Sequence, residues 1–245
     1  MKHTLLLRLC APMQSWGTNS RFSIRDTGLE PSKSGVIGLL CAALGKPREE
    51  SHTEDEEFAE LLNLRMGVLV LREGVRKKDF HTALEVVKAD SKGDGKSTGT
   101  VTSYRYYLAY ADFLVGLEYS NFEFLKRLEN KIKNPHWQIF LGRKSFVPSL
   151  PVYLEKDGLL RESDLEKSLT MNDFSQDGMR LVLETMPNDS DATEVRQDVP
   201  LSFAERRFTI RRVRTEFINL KNGGNENGDL FDENEAESAV ETSSP

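Results

Sequence analysis

The sequence predicts an α+β protein, and three observations carry that prediction. Residues 4–10 alternate around Leu5, Leu7 and Leu9, as a half-buried strand does. Residues 34–44 form an apolar run with polar residues before it and Gly45 after it. Met66–Arg72 (MGVLVLR) is a second strand-like run, closed by a turn at Glu73-Gly74. Strand, helix, strand in that order begins a β-α-β unit.

Taken in order, the first strand leads into a polar, basic loop (Ser15–Arg25) and a turn (Asp26–Pro31). Ser32 or Ser34 can cap the helix that follows, and Gly45 suits the position past its end, where a positive φ is needed. Val36, Ile37, Leu39, Leu40, Cys41, Ala42 and Leu44 make that helix apolar on most faces, which predicts burial on more than one side. Residues 46–57 read as a charged loop and Phe58–Leu64 as a short helix. Phe80–Val87 reads as a strand, Asp90–Gly99 (DSKGDGKSTG) as a mobile tip that cannot pack a core, and Val101–Ala111 as an aromatic strand. Together they make either a long projecting hairpin or an ordinary surface loop. Phe113–Glu118 is a further strand. Asn121 then caps a helix with Phe122, Leu125, Leu128 and Ile132 on one face, and Pro135 ends it.

With one more strand expected near 139–154, the order β-α-β-β-α-β is that of a ferredoxin-like or RRM-like domain covering residues 1–148. Residues 149–221 read as a smaller β-rich C-terminal region whose last strand, near Phe203–Phe217, is rich in arginine. Residues 222–245, dominated by Gly, Asn, Glu and Ser, read as a disordered acidic tail.

The net charge of −6 misleads as an average. The tail holds seven acids and no Lys or Arg, and without them 33 bases face 32 acids, a body near +1. Within that body the bases cluster at Arg76-Lys77-Lys78, at Arg143-Lys144, and at Arg206-Arg207, Arg211-Arg212 and Arg214, a footprint that suits a polyanion. No apolar run is long enough to cross a membrane as a helix. The N-terminus leads straight into a strand without a small-residue cleavage site, so it reads as mature structure rather than a signal peptide. Cys10 and Cys41, both in apolar settings, suit buried thiols of a cytoplasmic protein. Neither has a second metal ligand at short spacing, so no metal or cofactor is expected.

Several residues invite chemistry. Ser32-Lys33-Ser34-Gly35 sets two hydroxyls and an ammonium at a helix N-terminus, a seat for phosphate or simply a self-capping helix start. Gly142, Arg143, Lys144 and Ser145 form a loop in which glycine permits close backbone approach and the others donate hydrogen bonds, or else a basic surface turn. Tyr104, Arg105, Tyr106 and Tyr107 offer stacking faces beside a cation, although strands also use tyrosine for packing. For Trp16 a stacking role and a wedge into a neighbouring subunit are both open. His81 with Lys77, Lys78, Tyr104 or Tyr106 would be the constellation for a metal-independent ribonuclease, but the other histidines, His3, His52 and His136, supply no paired or metal-ligand spacing.

The run Met13–Gly45 (MQSWGTNSRFSIRDTGLEPSKSGVIGLLCAALG) resembles the start of the CasD family, followed in order by Phe80-His81-Thr82, Tyr104-Arg105-Tyr106-Tyr107-Leu108 and Leu141–Pro148 (LGRKSFVP). These are CRISPR-associated proteins of the RAMP superfamily, subunits of type I-E Cascade that hold the 5′ end of CRISPR RNA. The resemblance covers residues 1–221. It implies a non-catalytic RNA-binding subunit, with a thumb hairpin at about 75–111 that reaches along the RNA to the backbone subunit. Ser32, Lys33 and Ser34 with Gly142, Arg143, Lys144 and Ser145 would hold backbone phosphates. Trp16, Arg21 and Arg25 would surround the handle, and His81, Tyr104 and Arg105 would face RNA from the hairpin. The implied partners are CRISPR RNA, the backbone subunit CasC, the large subunit CasA and, indirectly, target DNA. Related proteins of type I-C systems cleave CRISPR repeat RNA, which makes an endoribonuclease the alternative.

Overall fold

The computed structural model describes residues 1–18, 20, 23–89, 96–186 and 194–219. Its elements are β1 (His3–Cys10), β2 (Met13–Gln14), β3 (Ile24–Arg25), α1 (Lys33–Leu44), α2 (Glu56–Leu62), β4 (Arg65–Arg72), β5 (Val75–Ala89), β6 (Lys96–Ala109), β7 (Asp112–Tyr119), α3 (Phe122–Lys133), β8 (Leu159–Leu160), α4 (Leu165–Thr170), β9 (Arg180–Glu184), β10 (Glu194–Ser202) and β11 (Arg207–Phe217). A mixed α+β architecture is what the patterning predicted. Seven strands form one sheet in the order β10-β11-β9-β4-β7-β1-β8. β7 lies between β1 and β4 and runs antiparallel to both, and α1 lies in the connection from β1 to β4, which is a split β-α-β arrangement.

The caps are where the residue types put them. The Ser32 hydroxyl accepts the Gly35 N–H at 3.2 Å, Gly45 takes φ 78° just past α1, and the Asn121 side chain accepts the Phe124 N–H at 3.2 Å. The alternation of β1 resolves into two buried faces. Leu5, Leu7 and Leu9 pack under α1, α2 and α3, while Leu6 packs under α4 with Leu69, Leu114, Leu165 and Leu169. α4 can sit so close because Gly67 of β4 and Gly116 of β7 lie opposite each other. A Cβ at Gly67 would stand 2.7 Å from the Leu169 side chain, and one at Gly116 would stand 2.7 Å from Leu165.

The strand expected near 139–154 does not form. That stretch is turn and coil that follows β1 irregularly, through the Leu7–Tyr153 bridge and hydrogen bonds from Arg8 N–H to the Val152 carbonyl and from Ser149 N–H to the Cys10 carbonyl, both 2.8 Å, while the two-residue β8 takes the edge beside β1. Gly142 at φ 104° turns the chain, and Pro148 and Pro151 withhold N–H groups from any ladder. Strand β9 bonds onto the free edge of β4, through Gly67 to Leu183 and neighbouring pairs, and β11 and β10 follow outward, prolonging the first sheet.

β5 and β6 form a long hairpin. Residues 96–99, expected in a loop tip, belong to β6; residues 90–95 lie outside the described residues, as does the whole of 222–245. The hairpin is buttressed at its base, where Met13 pairs with Ala109 and Ile24 runs parallel beside Tyr104. Farther out, a bulge between Ala83 and Val86 puts Glu85 at φ 54° and leaves Leu84 and Val87 exposed.

A Gly116→Ala substitution should lower unfolding stability by about 1–3 kcal/mol, the usual cost of overpacking, because α4 must lift off the sheet. Urea denaturation checks it; a midpoint equal to that of the parent chain would mean that α4 is not seated on these glycines.

Candidate nucleic-acid interface

The start of α1 is already occupied by an internal anion. The Lys33 N–H donates to Asp198 Oδ2 at 2.8 Å, and Asp198 also accepts two hydrogen bonds from Arg211, at 2.7 and 2.9 Å. Lys33 is 3% exposed, and its ammonium spans both oxygens of Glu184 at 2.9 and 3.0 Å. A helix N-terminus attracts negative charge, and here β10 supplies it. The expectation that Lys33 holds a phosphate is therefore corrected: its three donors are turned inward. Ser32 is committed to capping, and of this group Ser34 alone keeps a partly open hydroxyl, 3.4 Å from that of Ser32.

Burial pushes the Lys33 ammonium down, with Glu184 opposing. Burial also opposes ionisation of Asp198, but the Arg211 guanidinium outweighs it and holds the carboxyl below its usual range. The arginine run at 206–214 is likewise largely spoken for, with Arg211 on Asp198, Arg207 on Glu205 and Arg214 on Glu166. The polyanion footprint read from that run is narrowed rather than removed: Arg211 and Arg214 turn to acids of β10 and α4 and Arg207 to Glu205 in the turn between β10 and β11, while Arg206 and Arg212 are exposed and form no salt bridge among the described residues.

One group of open cations gathers at the base of the hairpin. Ser15, Gly17, Ser20, Arg25, Asp26, Arg105, Gly142 and Arg143 line a cleft of about 340 Å3. β3 lies parallel to β6 with Arg25 beside Arg105. Arg143 reaches them from the loop after α3, donating to the Tyr106 carbonyl at 2.8 Å with its guanidinium 5.0 Å from the Phe146 ring. Burial, together with the like charge of Arg105, pushes the Arg143 guanidinium down. Among the described residues Arg25, Arg105 and Arg143 form no salt bridge, whereas the acid in the cleft, Asp26, already holds Arg76. Two acids temper these like charges, Asp26 in the cleft and Asp79, which is the strand partner of Arg105 and acts on Arg143 through its charge; a cleft with more cations than anions still favours an anion.

Gly142 makes this convergence possible. At φ 104° a Cβ would lie 2.1 Å from the Ser15 carbonyl oxygen, and the Ser15 N–H donates to Leu141 at 3.0 Å. The close approach that glycine was expected to allow toward phosphate is made toward the chain's own backbone. Lys144 and Ser145 are exposed on the same turn.

Ser15, Gly17 and Gly142 also border a depression of about 430 Å3 along α1, so the two join into one groove. Its floor is Gly38 and Ala42, with Ser34 at one side, Phe140, Phe203 and Phe208 as walls, and Arg48 on the rim. Sequence reasoning missed this floor, although the signal was there: Ser34, Gly38 and Ala42 are small residues at i, i+4 and i+8 on an otherwise bulky helix.

Trp16 does not offer its ring. It is 2% exposed, its indole N–H donates to Gln14 Oε1 at 3.1 Å, and it packs against the first turn of α1, so the stacking reading is corrected. Tyr104 and Arg105 part company because neighbours on a strand face opposite ways. Arg105 points with Arg25 into the cleft, while Tyr104 joins Phe80 and Ile24 in a row across three strands on the other face, 45%, 58% and 49% exposed. Lys78 sits 4.8 Å over the Tyr104 ring. His81, paired with Ser103, faces the same way as Lys77 and Arg105, so Lys78, Tyr104 and Tyr106 stand on the opposite face from it. Arg21 lies outside the described residues. Among the described residues no group of three His, Cys, Asp or Glu could hold a metal ion, and no helix is long and apolar enough to cross a membrane.

The family model for CRISPR-associated protein (Cas_Cas5) matches residues 4–214. The CRISPR system Cascade subunit CasD of Escherichia coli (strain K12) is 34% identical over 182 residues, covering 69% of this chain and 76% of that protein. A solved structure described as a crystal structure of a Cas protein is 41% identical, with a TM-score of 0.65 over 87% of this chain and 94% of that one. A chain of a CRISPR RNA-guided surveillance complex is 30% identical, with a TM-score of 0.65 over 87% of this chain and 89% of its own.

An Asp198→Ala substitution should cost about 3–5 kcal/mol, because it leaves Arg211 buried beside a lost partner. The pH dependence has a definite sign. The folded carboxyl titrates below its unfolded value of about 4, so its contribution is fully present above that pH and is lost as pH falls through the folded value. Chemical denaturation between pH 7 and pH 2 reads both effects; parallel stability curves for parent and variant would remove Asp198 from that role.

Proposed function

The chain belongs to the Cas5 family of CRISPR-associated proteins, and from that premise we propose that it caps the 5′ handle of CRISPR RNA in a type I-E Cascade complex and does not cut it. The observation that carries this reading is the groove: three arginines without salt-bridge partners among the described residues at one end, opening onto a small-residue helix face. Single-stranded RNA asks for both features, cations for its phosphates and an uncluttered surface for splayed bases. Arg25, Arg105 and Arg143, with Lys144 and Ser145 on the rim, take the phosphates; Ser34, Gly38 and Ala42 form the surface beneath. Contacts of this kind position RNA more than they read its sequence.

The hairpin acts as a thumb. Its exposed Phe80, Tyr104 and Ile24 row faces away from the groove, toward the neighbouring backbone subunit CasC and the guide RNA. The large subunit CasA and, through the guide, target DNA complete the partners of a cytoplasmic ribonucleoprotein. Catalysis is no part of the proposed role: Lys78, Tyr104 and Tyr106 stand on the face opposite His81, which keeps only Lys77 of that constellation beside it.

Two measurements test the reading. Replacing Arg105 and Arg143 together by Ala should weaken binding of a repeat-derived RNA and flatten the dependence of log K on log salt by roughly 1.4 units, about 0.7 per lost cation on a single strand. An unchanged slope would take the groove out of RNA binding. Separately, His81→Ala should leave repeat RNA exactly as uncut as the parent does, with or without metal; cleavage by the parent that vanishes in this variant would establish an endoribonuclease instead.

A further inference from the structure

We propose that the notch between the start of β4 and the middle of β11 binds a phosphate group, that of inorganic phosphate or of a mononucleotide, through Arg65, Thr185 and Arg212. The notch shares no lining residue with the groove, so the proposal does not depend on the function proposed above.

The notch exists because β9 stops short. In the order β11-β9-β4, β9 ends at Glu184, while β11 extends past that point as far as Arg207 and α2 leads into β4 on the other side. Leu62, Asn63 and Arg65 line one side and Ile210 and Arg212 the other side of a cavity of about 490 Å3.

Strand register puts the three anion-binding groups in one row. Gly67 pairs with Leu183 and Val213 with Glu184, and the Thr185 N–H donates to the Arg212 carbonyl at 3.0 Å. Carried one or two residues further, the same registers set Arg65, Thr185 and Arg212 side by side on one face. The two arginine Cα atoms then stand roughly 10 Å apart, two strand spacings. Guanidiniums at that separation can close on one tetrahedral oxyanion from both sides, with the hydroxyl between them.

Each group is short of a partner. Thr185 is 8% exposed and its hydroxyl has no hydrogen-bond partner, although buried polar groups are nearly always paired. Arg212 is exposed and forms no salt bridge among the described residues. Arg65 uses Nε on the Glu184 carbonyl at 2.7 Å and Nη1 on Glu118 at 3.4 Å, and its Nη2 donates to no described residue. The nearby carboxylates are already engaged: Glu118 holds Lys2 and the Leu165 N–H, Glu184 holds Lys33 and the Met66 N–H, and Asp198 holds Arg211. Lys2, Lys33, Arg65, Arg211 and Arg212 thus outnumber three acids, and a surplus of positive charge favours an anion. Leu62, Met186 and Ile210 add apolar surface on which a base can lie.

The test uses full-length protein carrying Arg105→Ala and Arg143→Ala, so that the groove takes no part. It is titrated calorimetrically with inorganic phosphate and with adenosine 5′-monophosphate, and saturable binding is expected in the millimolar range. Adding Arg212→Gln should weaken binding about tenfold, the loss expected for a charge-assisted hydrogen bond. Adding Thr185→Val, which removes the hydroxyl and keeps the shape of the side chain, should weaken it severalfold. The urea midpoint of the ligand-free protein should not fall with Thr185→Val, because the hydroxyl has no partner to lose. A lower midpoint would give that hydroxyl a partner within the fold and overturn the assignment. Phosphate bound as tightly as the nucleotide, or more tightly, would assign the site to the phosphate group itself; a tighter nucleotide would place its base on Met186 and Ile210; both keep the proposal. Failure to saturate with either probe, or saturation that Arg212→Gln or Thr185→Val leaves unchanged, would mean an adventitious ion only and overturn it.

Discussion

The carboxylate of Asp198 at the first turn of α1 is the contact on which the rest of the site depends. It answers the helix N-terminus, satisfies Arg211 of β11 and, with Glu184 of β9, closes a four-membered charge cluster around Lys33. Such a cluster is costly to desolvate and hardly adds to stability in net terms, but removing one partner strands a buried charge. It therefore ties three strands of the C-terminal half to the one helix whose outer face floors the groove. The position of α1 over the sheet, and with it the distance between Gly38 and the basic loops, follows from that cluster and from Trp16 against the first turn of the helix.

What was legible in the sequence was whatever local chemistry decides. Ser32, Gly45 and Asn121 cap where their residue types say, and Leu5, Leu7 and Leu9 share a face because strand alternation leaves no other arrangement. The basic loop after β1 and the Gly142–Ser145 turn were singled out by their residue types, and the fold brings Ser15, Arg25, Gly142 and Arg143 to one cleft. What was not legible depended on partners far away in the chain. Lys33 and Arg211 look identical to phosphate-binding cations until Glu184 and Asp198 are placed beside them, 151 and 13 residues away. The strand expected near 139–154 lost to a glycine turn and two prolines, and a two-residue strand filled its place at the sheet edge. Tyr104 and Arg105 were grouped because they are neighbours in sequence, which on a strand is the arrangement that separates them.

The hairpin thus presents two chemically distinct sides built from one alternating sequence. One carries Arg105 beside Arg25 and closes the cationic end of the groove; the other carries Phe80 and Tyr104 with Lys78 above the ring. A ribbon only two or three strands wide cannot bury either side, so both remain at the surface. A single element can in this way serve a polyanion on one side and an apolar neighbour on the other without the two surfaces competing for residues.

The contact between Gly142 and the Ser15 carbonyl separates shape from charge in this loop. The spacing of the two loops is set where backbone meets backbone, so no side chain at position 142 can be accommodated by repacking its surroundings. Lys144 and Ser145, one turn away and exposed, are under no such geometric restriction. The steric restriction in this loop therefore falls on Gly142 and not on its outer polar residues. Substitutions at Lys144 or Ser145 can change the charge offered to a ligand without disturbing the shape of the cradle.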